Sequence, residues 1–256
     1  FFADYGRRIM PASAGRTTMC PTELGYDLAT PPSLRLLPIE TRLQPQGLAE
    51  WRLKPERWVS IPLGVNSADQ LAQSLEKVSE VRRVTQDEAR ALGFWHDELP
   101  EENPLPDSNG LVEVPMWRHA LINIPHPLLK QGLVILDTPG LNAVGAEPEL
   151  TINLIPQAHA VVFILGADTG VTRSDLTIWR DHLVAPEGSA DARLVVLNKI
   201  DTLWDILNSS DQVQAQLERQ CVTSAEMLGV PLDHVVPVSA QKGLVAKIQC
   251  DDVLLE

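Results

Sequence analysis

Three short stretches carry side chains whose types and order suit phosphate and purine chemistry. The first is Gly132-Leu-Val-Ile-Leu-Asp137-Thr138-Pro139-Gly140-Leu141. An acid at the end of an apolar run can hold a magnesium ion through water, and the bare Gly140 amide can point at a terminal phosphate. Thr138 and Pro139 make the turn between them, the proline by stiffening it. The second stretch is Leu194-Val-Val-Leu197-Asn198-Lys199-Ile200-Asp201. A carboxylate at Asp201 can accept two hydrogen bonds from the ring N–H and the amino group of guanine, a donor pair that adenine lacks on that edge. The Lys199 stem can lie along the base, and Asn198 can tie the loop to its neighbours. The third is Val235-Val-Pro-Val238-Ser239-Ala240-Gln241-Lys242-Gly243, where the Ala240 N–H could reach the guanine carbonyl. Each stretch has an ordinary alternative as a strand-ending turn, and Asp201-Thr202 also suits a helix cap. Their common order, each after a β-type apolar run, is what makes the set specific.

Those apolar runs must be strands that deliver the polar loops at their carboxyl ends, where open α/β sheets bind ligands. Leu133–Leu136 reads as a strand buried on both faces, and Ala160–Leu165 and Leu194–Leu197 as further buried strands. Helical spacing between them predicts helices from Ser174, with Leu176, Trp179 and Leu183 inward, and over 204–228 with a break at Asn208-Ser-Ser. Thr151–Gln157 reads as helical after a loop at 142–149. Strands alternating with helices define an α/β sheet of the nucleotide-binding kind.

The three stretches resemble three of the five signature loops of a GTPase domain. Thr17-Thr18 before Cys20-Pro21, together with Asp-Thr-Pro-Gly-Leu-Asn at 137–142, is similar to the bacterial dynamin-like proteins and their mitofusin relatives. The resemblance covers residues of about 7–46 and 111–250. It implies a P-loop-NTPase-type three-layer sandwich with a mostly parallel central sheet. It assigns Thr18, with Thr17 as fallback, to a switch that completes the magnesium shell and positions the attacking water, with Gly140 beside it. Asp137 (through water) and Thr18 become the metal residues. Asp137, Thr138, Pro139, Gly140, Asn198, Lys199, Asp201, Ser239, Ala240 and Gln241 become the nucleotide-binding set. Leu141 stands where small signalling GTPases carry a water-orienting Gln. Mg2+ is the implied cofactor, GTP the substrate, and a homodimer across the nucleotide the implied assembly.

No G-x-x-x-x-G-K-[ST] occurs in the 256 residues. In this family that loop precedes the switch threonine by a helix, so it is expected upstream of Phe1. The stretch then reads as one partial GTPase domain, 1–256, cut after its first strand, phosphate loop and helix. Losing three or four charge-assisted hydrogen bonds of about 1.5–3 kcal/mol each costs roughly 5–10 kcal/mol, some four to seven decades of affinity. The intact protein is therefore expected to hydrolyse GTP, and this stretch to bind nucleotide weakly and be inactive. The missing strand is a central one, so exposed, unpaired sheet edges are expected.

Lys+Arg 21 against Asp+Glu 34 gives a net charge of −13, which argues against a nucleic-acid partner and against simple electrostatic docking on anionic membranes. Cys20, Cys221 and Cys250 form no CxxC pair and read as reduced thiols of a cytoplasmic protein, one that associates with membranes at most peripherally. Residues 47–110 read as a helical insertion, with a capping box at Ser67–Gln70 ahead of Leu71, Leu75 and Val78, and a short helix from Thr85 to about Gly93. Trp51, Trp58 and Trp95 read as the cover of a satellite core rather than a partner or lipid contact. Residues 31–46 suggest short edge strands, and Val112–Ile124 a strand that returns through a Pro-His-Pro turn to Leu133 as a hairpin. Asp168 is either a strand-end turn residue or a contact to the ribose or a dimer partner. Arg16 reads as a surface arginine before an arginine finger. His96, His119 and His126 lack metal-like spacing. Two alternatives to a dynamin-like hydrolase stay open: a pseudo-GTPase scaffold, and a translation or ribosome-assembly GTPase, the latter disfavoured by the lack of a basic RNA-binding region.

Overall fold

In the computed structural model, residues 20–98, 100, 103–137, 160–183, 193–204 and 209–251 are described, and the chain divides into two compact units, Phe1–Pro148 and Glu149–Glu256. The class is α/β, and each unit has its own sheet and core.

In the first unit, two strands each carry a pair of aliphatic residues two positions apart. That period places Leu34 and Leu36 of β2 (Ser33–Pro38) on one sheet face with Ala120 and Ile122 of β6 (Trp117–Asn123). Helix α2 (Ala68–Glu76) covers this face with Leu71 and Leu75, all six residues being buried in one cluster. The helix starts where predicted, because Ser67 Oγ accepts the Gln70 N–H at 3.4 Å. The remaining strands are β1 (Thr22–Gly25), β3 (Val59–Pro62) and β7 (Ile135–Asp137), in the order β3-β2-β6-β1-β7. Only β1 and β6 run parallel in this sheet. The Asn123 amide ends β6 by accepting the Asp27 N–H at 2.7 Å and donating to the Thr30 and Pro31 carbonyls at 3.0 and 3.1 Å. It thereby holds the β1–β2 turn. Between β2 and β6 the chain forms α1 (Leu48–Arg52), β3, α2, β4 (Val81–Val84) and α3 (Gln86–Ala91). Thr85 caps α3 and Gly93, at φ +79°, ends it. Strand β4 pairs antiparallel with β5 (Val112–Pro115), and their residues form a satellite core with Ile39, Leu92 and Phe94. Trp95 packs against that core, while Trp51 and Trp58 are buried. The segment 47–110 thus carries two strands besides its helices.

Several strand expectations are corrected. Residues 33–38 form an interior strand, because β3 and β6 flank β2 on its two sides. Val112–Ile124 is two strands in two sheets, broken at Met116 after Pro115. No hairpin joins β6 to β7: the Pro-His-Pro turn leads into the single-turn helix α4 (Pro127–Lys130), and β1 lies between the two strands. Strand β7 is consequently an edge strand, with Leu133 and Val134 exposed ahead of it rather than buried on both faces.

The second unit has a wholly parallel sheet, β10-β9-β8, built from β8 (Val161–Gly166), β9 (Arg193–Asn198) and β10 (Val235–Pro237). Leu165, Val195, Leu197 and Val235 face a core completed by α5 (Arg173–His182) and α6 (Ser210–Leu228). Trp179 anchors it, donating its indole N–H to the Leu228 carbonyl at 2.8 Å and lying 5.2 Å from the Phe163 ring. Thr172 and Ser209 cap these helices through reciprocal boxes with Asp175 and Gln212. The opposite sheet face is open: Val162 and Ile164 are 55% and 63% exposed, and Leu194 and Val236 are exposed beside them. Strands β8 and β9 are therefore buried on one face only, against expectation. Among the described residues, β8 ends the sheet on one side and β10 on the other.

Candidate functional site

The parallel register of β8, β9 and β10 brings three loops to one end of the second unit. The loop after β9 is tied first to the loop after β10 through the backbone, by Val238 N–H to the Leu197 carbonyl at 2.9 Å and Ile200 N–H to the Val238 carbonyl at 3.3 Å. Two side chains then cross between the same loops. Asn198 Oδ1 accepts the Ala240 N–H at 3.0 Å, and Ser239 donates its hydroxyl proton to Asp201 Oδ1 at 2.5 Å. The same Ser239 oxygen accepts the Lys242 N–H at 3.1 Å and so caps α7 (Ala240–Gln249). Its single proton is committed to Asp201, which fixes one carboxylate oxygen and leaves lone pairs on the other. Lys199 stands between these anchors at φ +65°, a left-handed conformation that a lysine adopts only when its surroundings impose it. The one-turn 3-10 helix Ile200–Leu203 follows.

The sequence thus located Asn198, Lys199, Asp201, Ser239 and Ala240 on two loops that the structure brings together. The Ala240 N–H is donated to Asn198 here, and Gln241 lies exposed in the first turn of α7. Two further contacts were not foreseen. Asp168, in the loop after β8, faces Lys199, with Oδ2 3.5 Å from the ammonium. Lys242 Nζ lies 4.6 Å from the centroid of the Trp204 ring, joining the segments that follow β9 and β10 by a cation–π contact. Both pairs join residues far apart in sequence, and no local spacing announces them.

In the first unit, Asp137 closes β7, with its backbone opposite Thr22 of β1. The Asp137 side chain and residues Arg16, Thr17, Thr18, Thr138, Pro139, Gly140 and Leu141 lie outside the described residues. Carboxylate and hydroxyl oxygens of the Asp137 and Thr18 type suit a hard divalent cation. Among the described residues, no group of three or more His, Cys, Asp or Glu side chains could hold a metal ion, and no helix is long and apolar enough to cross a membrane.

A parallel sheet whose strand-end loops are locked by Asn198, Asp201 and Ser239 defines an α/β domain of the nucleotide-binding class. The sequence profile of the dynamin family matches residues 5–200, more than half the chain, and the chain belongs to that family as part of its GTPase domain. It is 26% identical over 96 residues to the bacterial dynamin-like protein of Nostoc punctiforme, covering 38% of this chain and 13% of that protein. It is 28% identical over 132 residues to a probable chloroplastic transmembrane GTPase, FZO-like, of Arabidopsis thaliana, covering 49% of this chain and 13% of that protein. Among solved structures, one from an oligomerised bacterial dynamin pair aligns with 96% of this chain and 32% of that one, at 15% identity and a TM-score of 0.48. The chain spans about an eighth of the length of those two relatives.

Proposed function

We propose that this chain supplies the base-recognising and switch portions of a GTP-hydrolysing dynamin-like protein. The observation that carries the reading is the crossed pair of hydrogen bonds Ser239–Asp201 and Ala240–Asn198, which holds a carboxylate ready for the two N–H groups of guanine. Within this reading Lys199 lies along the base and Gln241 borders it. Thr138, Pro139 and Gly140 approach the terminal phosphate. Asp137, through water, and Thr18 would hold Mg2+, which supplies charge neutralisation at the phosphates when bound. Thr18 and Gly140 would place the attacking water. The whole protein would dimerise across the nucleotide and act at a membrane as a peripheral cytoplasmic protein.

The 256 residues include no G-x-x-x-x-G-K-[ST], so they bind GTP weakly by themselves in this reading. A second reading is a guanine-binding scaffold without hydrolysis, which would keep the same Asn198–Ala240 and Asp201–Ser239 bonds. Phosphate release separates the two. It is measured on the chain extended upstream in its gene by about 60–80 residues, the length of a strand-loop-helix unit with margin. Steady GTP turnover that Thr18→Ala abolishes supports the hydrolase. Guanine-nucleotide binding without turnover replaces it with the scaffold. Turnover that depends on ribosomes revives a ribosome-assembly role, which the −13 charge disfavours.

A further inference from the structure

The loop after β8 lies at the same end of the sheet as the loops after β9 and β10, and its shape centres on a missing side chain. Ala167 donates its N–H to the Asn198 carbonyl at 2.7 Å, fastening this loop to the strand end that begins the Asn198–Asp201 loop. The Gly166 carbonyl accepts the Gly170 N–H at 2.8 Å and closes the turn. Inside that turn the Asp168 side chain folds back over Gly166. A Cβ there would collide with Asp168 Oδ1 and crowd Thr169 Oγ1 at 3.1 Å. The φ of Gly166 is not positive, so its backbone conformation does not require glycine. A Cβ would instead force the Asp168 carboxylate tip to shift from its present place. The other carboxylate oxygen, Oδ2, sits 3.5 Å from Lys199 Nζ, with 39% of the Asp168 side chain and 59% of the Lys199 side chain exposed.

We propose that Asp168 is a positioning residue for base recognition: it holds the Lys199 ammonium at the rim of the site, and Gly166 is the residue that lets it do so. The inference rests on the guanine-site reading above. Lys199 already has its backbone set in the left-handed region by the loop. What stays free is a long side chain with four rotors, whose ordering a base would otherwise have to supply on binding. The ion pair supplies part of that order beforehand. Asp168 touches no nucleotide in this account and acts through Lys199.

Exposed ion pairs of this kind set the scale of the effect at a few-fold. Asp168→Asn is expected to weaken GDP binding about two- to five-fold in the upstream-extended chain. Gly166→Ala, which displaces the carboxylate without changing its charge, is expected to do the same. Three readouts separate positioning from a loss of fold. The wild-type/variant ratio shrinks between about 0.05 M and 1 M salt, because an exposed pair is screened. Asp168→Asn has no further effect in a Lys199→Met background. The thermal midpoint is unchanged. A separate measurement needs no nucleotide: after reductive 13C-methylation, the NMR signal of Lys199 shifts on Asp168→Asn and on Gly166→Ala. Equal losses with and without Lys199, or a salt-independent ratio, overturn the proposal. So does an unmoved Lys199 signal. If Lys199 responds to both variants but the extended chain binds no guanine nucleotide, the pair exists and the base-site reading is what falls.

Discussion

Substituting Asp201→Asn probes the base site most sharply, because the structure determines which way the amide must turn. Ser239 gives its only proton to Asp201 Oδ1, while its oxygen takes the Lys242 N–H. An amide in the same place puts its carbonyl at the Oδ1 position to keep that proton, and its NH2 at the Oδ2 position. Guanine then meets one acceptor and one donor where it needs two acceptors. Two charge-assisted bonds of about 1.5–3 kcal/mol each are replaced by one neutral bond of about 0.5–1.5 kcal/mol and a facing pair of donors. The net loss is about 2–5 kcal/mol, or roughly 1.5 to 3.5 decades in affinity. Xanthine has a carbonyl where guanine has its amino group, so it supplies the acceptor that the NH2 lacks. Displacement of a fluorescent GDP analogue from the upstream-extended chain by GTP and XTP reads both effects. The expected result is weaker GTP binding and an inverted preference for XTP. Equal weakening of the two nucleotides would refute the assignment of Asp201 to the guanine edge, and so would unaltered GTP binding.

Three further outcomes follow from packing and charge. Trp179→Ala removes a buried indole together with its hydrogen bond to Leu228, so urea unfolding of the second unit should lose about 3–5 kcal/mol. The Arg90 guanidinium bonded to Asp97, and the Asn109 and Leu111 N–H groups bonded to Asp107, hold both carboxyls below their ordinary range. A depressed folded pKa gives stability that is full above the unfolded value of about 3.9 and is lost as pH falls through the folded one. The urea midpoint should therefore drop between pH 7 and pH 3, and by less in Asp97→Asn/Asp107→Asn. Burial pushes the Cys20 and Cys221 thiols up, whereas Cys250 is exposed. A thiol reagent should titrate one cysteine in the native chain and all three in denaturant.

Helix starts and the base loops were legible because their signals are local. Ser67 and Thr85 cap within three residues as read, and the helix read from Ser174 starts at Arg173 behind Thr172. The helix read from Trp204, by contrast, begins, among the described residues, at Ser210 with Ser209 as its cap. Asn198 ends β9, and Asp201 and Ser239 follow their strands within three residues. Strand partners were not legible in the same way. Strand β1 pairs with β6 across nearly a hundred residues, and no property of Leu133–Leu136 reveals that β1 rather than β6 lies beside β7. The apolar runs of β8 and β9 also misled: a continuous aliphatic stretch signals two buried faces, yet Val162, Ile164 and Leu194 are exposed. Asp168 was singled out, but its partner Lys199 lies 31 residues on, and the space its carboxylate occupies is left by the missing Cβ of Gly166.

Guanine-nucleotide recognition would fall to the Asn198–Asp201 and Ser239–Ala240 loops. Its most direct test is calorimetric titration of Mg·GTP and Mg·ATP into this chain and into the upstream-extended one. The account predicts micromolar GTP binding by the extended chain, at least a hundred-fold weaker binding by the 256 residues, and no ATP binding by either (about −8 kcal/mol for the first). Equal affinity for ATP, or no GTP binding by the extended chain, would contradict it.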